Sequence, residues 1–237
     1  MSSSGREHMD LSLAEADALF QIGEFAELVR RVNSHVRVGA SFEPGMSVRI
    51  AHALVLIGDW TEAETLIPTD VDQMGLALRS RAYLVRGLVA HAIGALSTAA
   101  QHFKTALRLA NESNDAHQVA WASVYLLNHL VNVGPHEVVT ALVPDVRKAV
   151  VRAGDPHALA YLHQAITMLE GQTGGLAEAR RHCELADSLL IDSPNVWLST
   201  NNLLNRACVD MLTCKYSPAA RAIQSARKAC SDAGLTR

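Results

Sequence analysis

The side chains of this sequence that could ligate a metal or serve as a nucleophile or base are chiefly eleven histidines and four cysteines. Two histidine pairs come nearest to a metal motif: His157 with His163, and His129 with His136. Neither pair has the separation of three or four residues that places two ligands on one helix face, so neither predicts a metal site. Three further histidines are expected on exposed or half-buried helix faces: His91, His102 and His182.

The cysteines form no CxxC pair, and each stands in a helical pattern where a small apolar side chain would serve. They are Cys183, Cys208, Cys214 and Cys230. We interpret them as reduced thiols of a cytoplasmic protein. The sequence also lacks the GxxxxGK[ST], HExxH and GxSxG motifs, and no GxGxxG follows a strand pattern. It therefore predicts a protein that is not an enzyme and that holds no cofactor and no metal.

Composition points to a folded, helix-rich protein. The chain is 49% hydrophobic and 19% charged, and aromatic residues make up only 5%, whereas alanine and leucine are abundant. A formal net charge of −3 provides no global positive field for a nucleic-acid backbone. No run of 18 apolar residues predicts a membrane span. We therefore expect neither direct nucleic-acid binding nor membrane insertion.

A short bend recurs along the chain, in the segments QIGEF, LIGDW, AIGAL, NVGPH, QTGGL and LTCKY. The bends are centred on Gly23, Gly58, Gly94, Gly134, Gly174 and Cys214, at spacings of 35, 36, 40, 40 and 40 residues. A residue that ends a helix often needs a positive φ, which glycine adopts without a Cβ clash. The bend at Cys214 is therefore expected to be strained or built differently.

After most bends a small residue and a bulky one share a helical stripe, as Ala99 and Phe103 do. This pattern resembles the tetratricopeptide repeat. The third unit matches it best, through Tyr83, Gly87, Gly94, Ala99, Phe103 and Ala106. The resemblance implies an all-α, right-handed superhelical solenoid of about six antiparallel helix pairs, with 35–40 residues per repeat. Phe103 is predicted to be the most structural side chain of the array.

Six of the seven prolines fall where this register expects a helix to break or begin. The exception is Pro144, which predicts a kinked or split second helix in the fourth unit. Each unit is expected to bury its apolar stripe only against its sequence neighbours.

Residues 1–9 are interpreted as a cloning leader or disordered tail, and residues 10–237 as one repeat domain cut from a longer chain. No polar capping helix follows Ala233, so the sixth unit is expected to be bare and could support a homo-oligomer.

In tetratricopeptide arrays the first helix of each pair lines the concave face, so the resemblance implies a binding wall there for a protein, a peptide or a small-molecule inducer. The predicted wall residues are Arg81, Leu88, His91, Trp121, Asn128, Tyr161, Gln164, Met168 and Asn201. Trp121 and Tyr161 could equally be core. The Lys/Asn carboxylate clamp of some family members is not matched, because Val124 stands where lysine is needed.

The long repeats, together with segments such as ALRLANESNDA and AEARRHCELADSLL, resemble the repeat region of LuxR/MalT-type ATP-dependent bacterial regulators. The resemblance implies a non-catalytic sensor or interaction region of a transcriptional regulator. A free-standing scaffold or peptide-binding adaptor is the alternative, and an enzyme that uses scattered histidines is a third reading.

Overall fold

A computed structural model describes residues 11–36 and 42–235, and within these ranges the chain is helical and contains no strand. The predicted leader, residues 1–9, lies outside the described residues. The helices are α1 (Leu13–Ile22), α2 (Phe25–Val36), α3 (Pro44–Ile57), α4 (Trp60–Leu66), α5 (Leu76–Ala92), α6 (Leu96–Ser113), α7 (Ala116–Val133), α8 (His136–Ala153), α9 (Pro156–Thr173), α10 (Leu176–Asp192), α11 (Val196–Leu212) and α12 (Tyr216–Asp232), with a 3₁₀ turn at Val71–Gln73. None of these helices is long and apolar enough to cross a bilayer.

The helices form six antiparallel pairs, from α1 with α2 to α11 with α12. Each first helix packs against the first helix of the next pair, and each second helix packs against that same neighbour. This arrangement is a helical solenoid, so the predicted fold class is confirmed. The spacing of 40 residues corresponds to the longer helices of the later pairs, which run for 17 or 18 residues from α5 onwards.

The bend residues have the expected positive φ, with one exception. Gly58 ends α3 with a φ of 93°, and Cys214 has a φ of 57° although it carries a side chain. The predicted strain at Cys214 is therefore present. Gly134 differs, because its φ is −95°. At this bend glycine is needed because the backbone lies close to the carbonyl oxygen of Leu130, which would be only 2.9 Å from a Cβ.

Phe103 is at the centre of the larger hydrophobic core and is only 1% exposed. Its ring packs on the backbone of α5 at Gly87, where a Cβ would come within 2.7 Å of ring carbons. The small and the large residue of the predicted stripe, Ala99 and Phe103, are both buried in this core. Of the kink or split predicted at Pro144, the split is wrong, because α8 continues through this residue, and the kink stays a prediction. Pro144 and Thr140 are both exposed, so water can satisfy the Thr140 carbonyl that has lost its helical donor.

The first and sixth pairs touch one another. The side-chain amide of Asn195 donates to the carbonyl oxygen of Gln21 at 2.8 Å. The rings of Phe25 and Trp197 meet edge to face, with centroids 6.3 Å apart, and Leu235 packs against the core of the first pairs. The expectation that each pair is buried only against its sequence neighbours is therefore wrong.

The contact covers the C-terminal part of the array only at a few residues, 195–197 and Leu235. The outer face of the sixth pair carries several exposed large apolar side chains, as the expectation of a bare sixth pair requires. They are Leu204, Met211, Leu212, Tyr216 and Ile223.

Candidate functional site

A cavity of about 310 Å³ lies inside the closed array, and the first helices of all six pairs contribute to its wall. Its aromatic wall residues are Phe20, Phe25, Trp121, Tyr125 and Trp197. Its charged and polar wall residues are Gln21, Arg49, His52, Arg81, His117, Gln118, Asp155, His157, Ser193 and Asn195. Apolar walls with a few convergent polar groups are typical of small-ligand sites.

Two arginines lie on one side of the cavity. Arg49 forms an ion pair with Asp17, with Nε 2.5 Å from Oδ1, and its guanidinium lies 4.4 Å from the centre of the Phe20 ring. Arg81, on the next first helix, donates through Nη2, at 2.8 Å, and through Nε to the amide oxygen of Gln118 when that oxygen faces the guanidinium. The first arginine is thus balanced by a carboxylate, and the second is held by a neutral amide.

A hydrogen bond crosses the cavity wall between α3 and α7. His52 Nε2 lies 3.2 Å from the hydroxyl oxygen of Tyr125. Burial, together with the charges of Arg49 and Arg81, lowers the pKa of His52 well below its ordinary value. Burial raises the pKa of Tyr125 well above its ordinary value. Both side chains are therefore uncharged at neutral pH.

Asp155 connects α7 to α9 through one carboxylate. Oδ1 caps the start of α9 by accepting the backbone N–H groups of His157 at 2.8 Å and Ala158 at 3.2 Å. Oδ2 accepts the indole N–H of Trp121 at 2.8 Å and lies 3.2 Å from His117 Nδ1. The carboxylate therefore fixes the orientation of the Trp121 ring and has partners on both oxygens.

An aromatic chain runs from α7 to α11 behind the cavity. Tyr161, which is buried, contacts Trp121, Tyr125 and Trp197, with centroid distances of 6.1, 5.2 and 5.4 Å. Burial raises the pKa of Tyr161, and a side-chain hydrogen bond between Asn128 and the tyrosine oxygen opposes that rise. These ring contacts link three first helices, α7, α9 and α11.

Of the nine predicted wall residues, Arg81 and Trp121 line the cavity. Tyr161 and Gln164 are buried instead, and Gln164 Nε2 donates to the carbonyl oxygen of Leu198 at 2.7 Å. For Tyr161, the core reading was therefore the correct one.

The other five predicted residues also lie away from the cavity wall. Leu88 and Met168 pack against the cores, His91 bonds to another histidine, Asn128 faces Tyr161, and Asn201 is half-buried. Binding at these positions stays a prediction.

Several cavity residues were missed by the sequence reasoning. Arg49 is the sixth residue of α3, as Arg81 is of α5 and Trp121 of α7, so extending the same register to the second pair would have found it. In the last two pairs the cavity reaches only the first turn of each helix, at residues such as His157 and Trp197. Equivalent positions lie at different heights along a superhelix, so one register cannot find the wall in every pair.

Four histidines form two hydrogen-bonded pairs that the sequence did not predict. The Nδ1 atoms of His91 and His129 are 2.9 Å apart, and those of His163 and His182 are 2.7 Å apart. His182 is buried, so its expected exposed or half-buried position is wrong. Each pair needs one imidazole to donate and the other to accept, which favours neutral rings.

Burial, the partner His182 and two nearby arginines, Arg147 and Arg181, lower the pKa of His163 to about 4. Across the described residues, no three His, Cys, Asp or Glu side chains are grouped to hold a metal ion. The four cysteines are free, and Cys183 is buried.

No protein family and no curated protein matches the sequence. Several solved structures are similar in fold to this chain, including the following two. One is BtubC (BKLC) from P. vanneervenii, with a TM-score of 0.59, 16% identity, and coverage of 95% of this chain and 92% of that one. The other is the Rap protein complexed with Competence and Sporulation Factor, with a TM-score of 0.64, 11% identity, and coverage of 98% and 68%. The chain is a helical repeat array. At these identities the similarity extends to the fold alone.

Proposed function

We propose that this array is a non-catalytic recognition module that binds a small ligand in its central cavity. The observation that carries the proposal is that all six helix pairs contribute side chains to one cavity, beside the contact between the first and sixth pairs. A ligand in this position touches both ends of the array. Its binding energy would therefore favour the closed arrangement by mass action.

The polar groups of the cavity support a binding role over a catalytic one. Asp155 has partners on both oxygens, and His52 faces a tyrosine hydroxyl. The nearest approach to a nucleophile and base is Ser193 with His157, whose Nε2 is 3.0 Å from the serine hydroxyl and also 3.0 Å from the carbonyl oxygen of Ser193. A nitrogen that donates to a carbonyl has no lone pair left to take the hydroxyl proton.

The context we propose is a cytoplasmic sensor region of a bacterial transcriptional regulator, in which ligand binding is relayed to other modules. The resemblance of the long repeats to those of LuxR/MalT-type regulators supports this context. The similar Rap array, solved with a bound factor, supports ligand recognition by such a fold. The nucleotide sequence of the parent gene tests the context, since the proposal requires an open reading frame that also encodes a helix-turn-helix module.

A protein-binding adaptor or scaffold is the second candidate. The exposed apolar side chains on the outer face of the sixth pair, such as Tyr216 at 67% and Leu212 at 57%, favour a protein contact there, including self-association. Sedimentation of the purified chain tests it. Concentration-dependent dimers that are lost on Tyr216→Ser would favour this candidate.

Filling the cavity tests the proposed function. Leu56 lines the cavity and is half-buried, so we expect Leu56→Trp to occupy part of the ligand volume. The matched control is Leu76→Trp, at an exposed position outside the cavity. In a thermal-shift screen of small organic compounds, hits should stabilise the wild type and the control but not Leu56→Trp. Equal stabilisation of all three proteins would contradict binding in the cavity.

A further inference from the structure

The charges around the cavity do not balance. Arg49 is paired with Asp17, but among the described residues no carboxylate lies within ion-pair distance of Arg81, whose recorded partner is the neutral amide of Gln118. Arg81 is half-buried. A guanidinium that is partly removed from water and lacks a counter-charge gains strongly from an anion that forms hydrogen bonds to it.

Asp155, whose carboxylate lies in the cavity wall, cannot supply the counter-charge that Arg81 lacks. The carboxylate of Asp155 already caps α9 through one oxygen and meets Trp121 and His117 through the other. Burial lowers the pKa of Arg49, the charge of its partner Asp17 opposes that fall, and the neighbouring charge of Arg81 adds to it. The two arginines therefore repel one another on their side of the cavity, and a negative group placed there would relieve that repulsion.

The other wall residues indicate which chemical groups the ligand carries in addition to its negative charge. Trp121, Tyr125 and Phe20 present flat apolar surfaces to the same cavity, and the Trp121 ring is held in place by its bond to Asp155. Planar or apolar ligand groups pack well against such rings. One unbalanced guanidinium matches a single negative charge, which fits a carboxylate better than a doubly charged phosphate.

We propose that the cavity binds an aromatic or apolar carboxylic acid, with its carboxylate on Arg81 and its apolar body against Trp121. The proposal rests on the function proposed above and adds the chemical class of the ligand. Gln118 occupies the Nε and Nη2 edge of the guanidinium, so the carboxylate would accept the two parallel N–H groups at the Nη1 and Nη2 end. The same chemistry could come from a free organic acid or from the carboxyl end of a peptide.

The experiment compares acids with their neutral amides by isothermal titration calorimetry. The probes are 3-phenylpropionate with 3-phenylpropionamide, as a free acid, and N-acetylphenylalanine with its carboxamide, as the end of a peptide. The proteins are the wild type, Arg81→Gln, and Arg86→Gln as a matched control on the same helix. Arg86 donates to the carbonyl oxygen of Pro68 and does not line the cavity.

At least one acid should bind the wild type and the Arg86→Gln control at least tenfold more tightly than its amide, and Arg81→Gln should remove that difference. A preference for 3-phenylpropionate over its amide indicates a free organic acid as ligand, and a preference for N-acetylphenylalanine over its carboxamide indicates the carboxyl end of a peptide. Equal binding of acids and amides, or a preference that survives in Arg81→Gln, would overturn the ligand class while leaving cavity binding intact. If no acid binds the wild type, the ligand class is wrong, and the compound screen still tests cavity binding. If the acids and amides bind the cavity-filling variant Leu56→Trp as tightly as the wild type, cavity binding itself is wrong.

Discussion

Replacing Gly23 by alanine tests the contact that closes the array. Gly23 has a φ of 81°, and a Cβ there would lie 2.9 Å from Asn195 Oδ1 and 3.0 Å from the backbone nitrogen of Val196. Gly58 is a matched control from the second pair. Its φ is 93°, and a Cβ there would meet no atom within 4 Å. The two substitutions therefore share a backbone penalty and differ in the clash with the sixth pair.

The structure sets the size of the difference. An alanine in the left-handed region costs about 1–2 kcal/mol, so Gly58→Ala should lower the free energy of unfolding by that amount. Gly23→Ala must also separate α1 from the start of α11. This loses the Asn195–Gln21 hydrogen bond, at about 0.5–1.5 kcal/mol. It also loses the ring contact of Phe25 with Trp197, at about 0.5–1.5 kcal/mol. The total loss for Gly23→Ala is then about 2–5 kcal/mol.

Urea unfolding followed by circular dichroism measures the two losses, and small-angle X-ray scattering measures the shape. Gly23→Ala should have an increased radius of gyration under native conditions, because the end pairs have separated, whereas Gly58→Ala should match the wild type. Equal losses of stability with an unchanged radius for both variants would refute the closure, and with it the single cavity.

Two further predictions concern the core and the histidine pairs. Phe103→Ala should lower the free energy of unfolding by about 3–5 kcal/mol, because it empties a fully buried site; an unchanged melting temperature would contradict the repeat register. The pKa of His163 is about 4 in the folded chain and 6.5 ordinarily, so the unfolded state takes up this proton more readily. Stability in urea should be full above pH 6.5 and should fall by up to about 3 kcal/mol as the pH decreases towards 4. His163→Gln should make this fall smaller, with the remainder due to other buried histidines such as His52, while a substitution at the exposed His136 should leave the profile unchanged.

The sequence alone predicted the helix pairs because their signals are local. Gly87 and Phe103 are within one unit, and the small residue facing the large ring identifies how two consecutive helices pack. Prolines and bends mark helix ends by backbone geometry that depends on neighbouring residues only. The exceptions have equally local causes. Pro144 is tolerated because its side of α8 faces water, and Gly134 is required by the nearby carbonyl of Leu130.

The cavity was only partly predictable, because its wall combines residues from every pair. Arg81 and Trp121 follow from one register applied to the first helices, whereas His157 and Trp197 enter from helix starts that the register does not mark. Each pair is rotated and shifted against its predecessor, and small changes per pair accumulate over six pairs. No spacing in the sequence encodes this accumulated rotation and shift.

The sequence by itself therefore determined that the chain forms stacked helical hairpins, since that outcome depends on contacts between residues close in the chain. The tertiary structure alone decided that the ends meet, with Asn195 bonded to Gln21 across 174 residues, and that Arg81 has no carboxylate partner among the described residues. Both depend on the relative placement of distant helices, which is fixed by the sum of all the packing angles along the array.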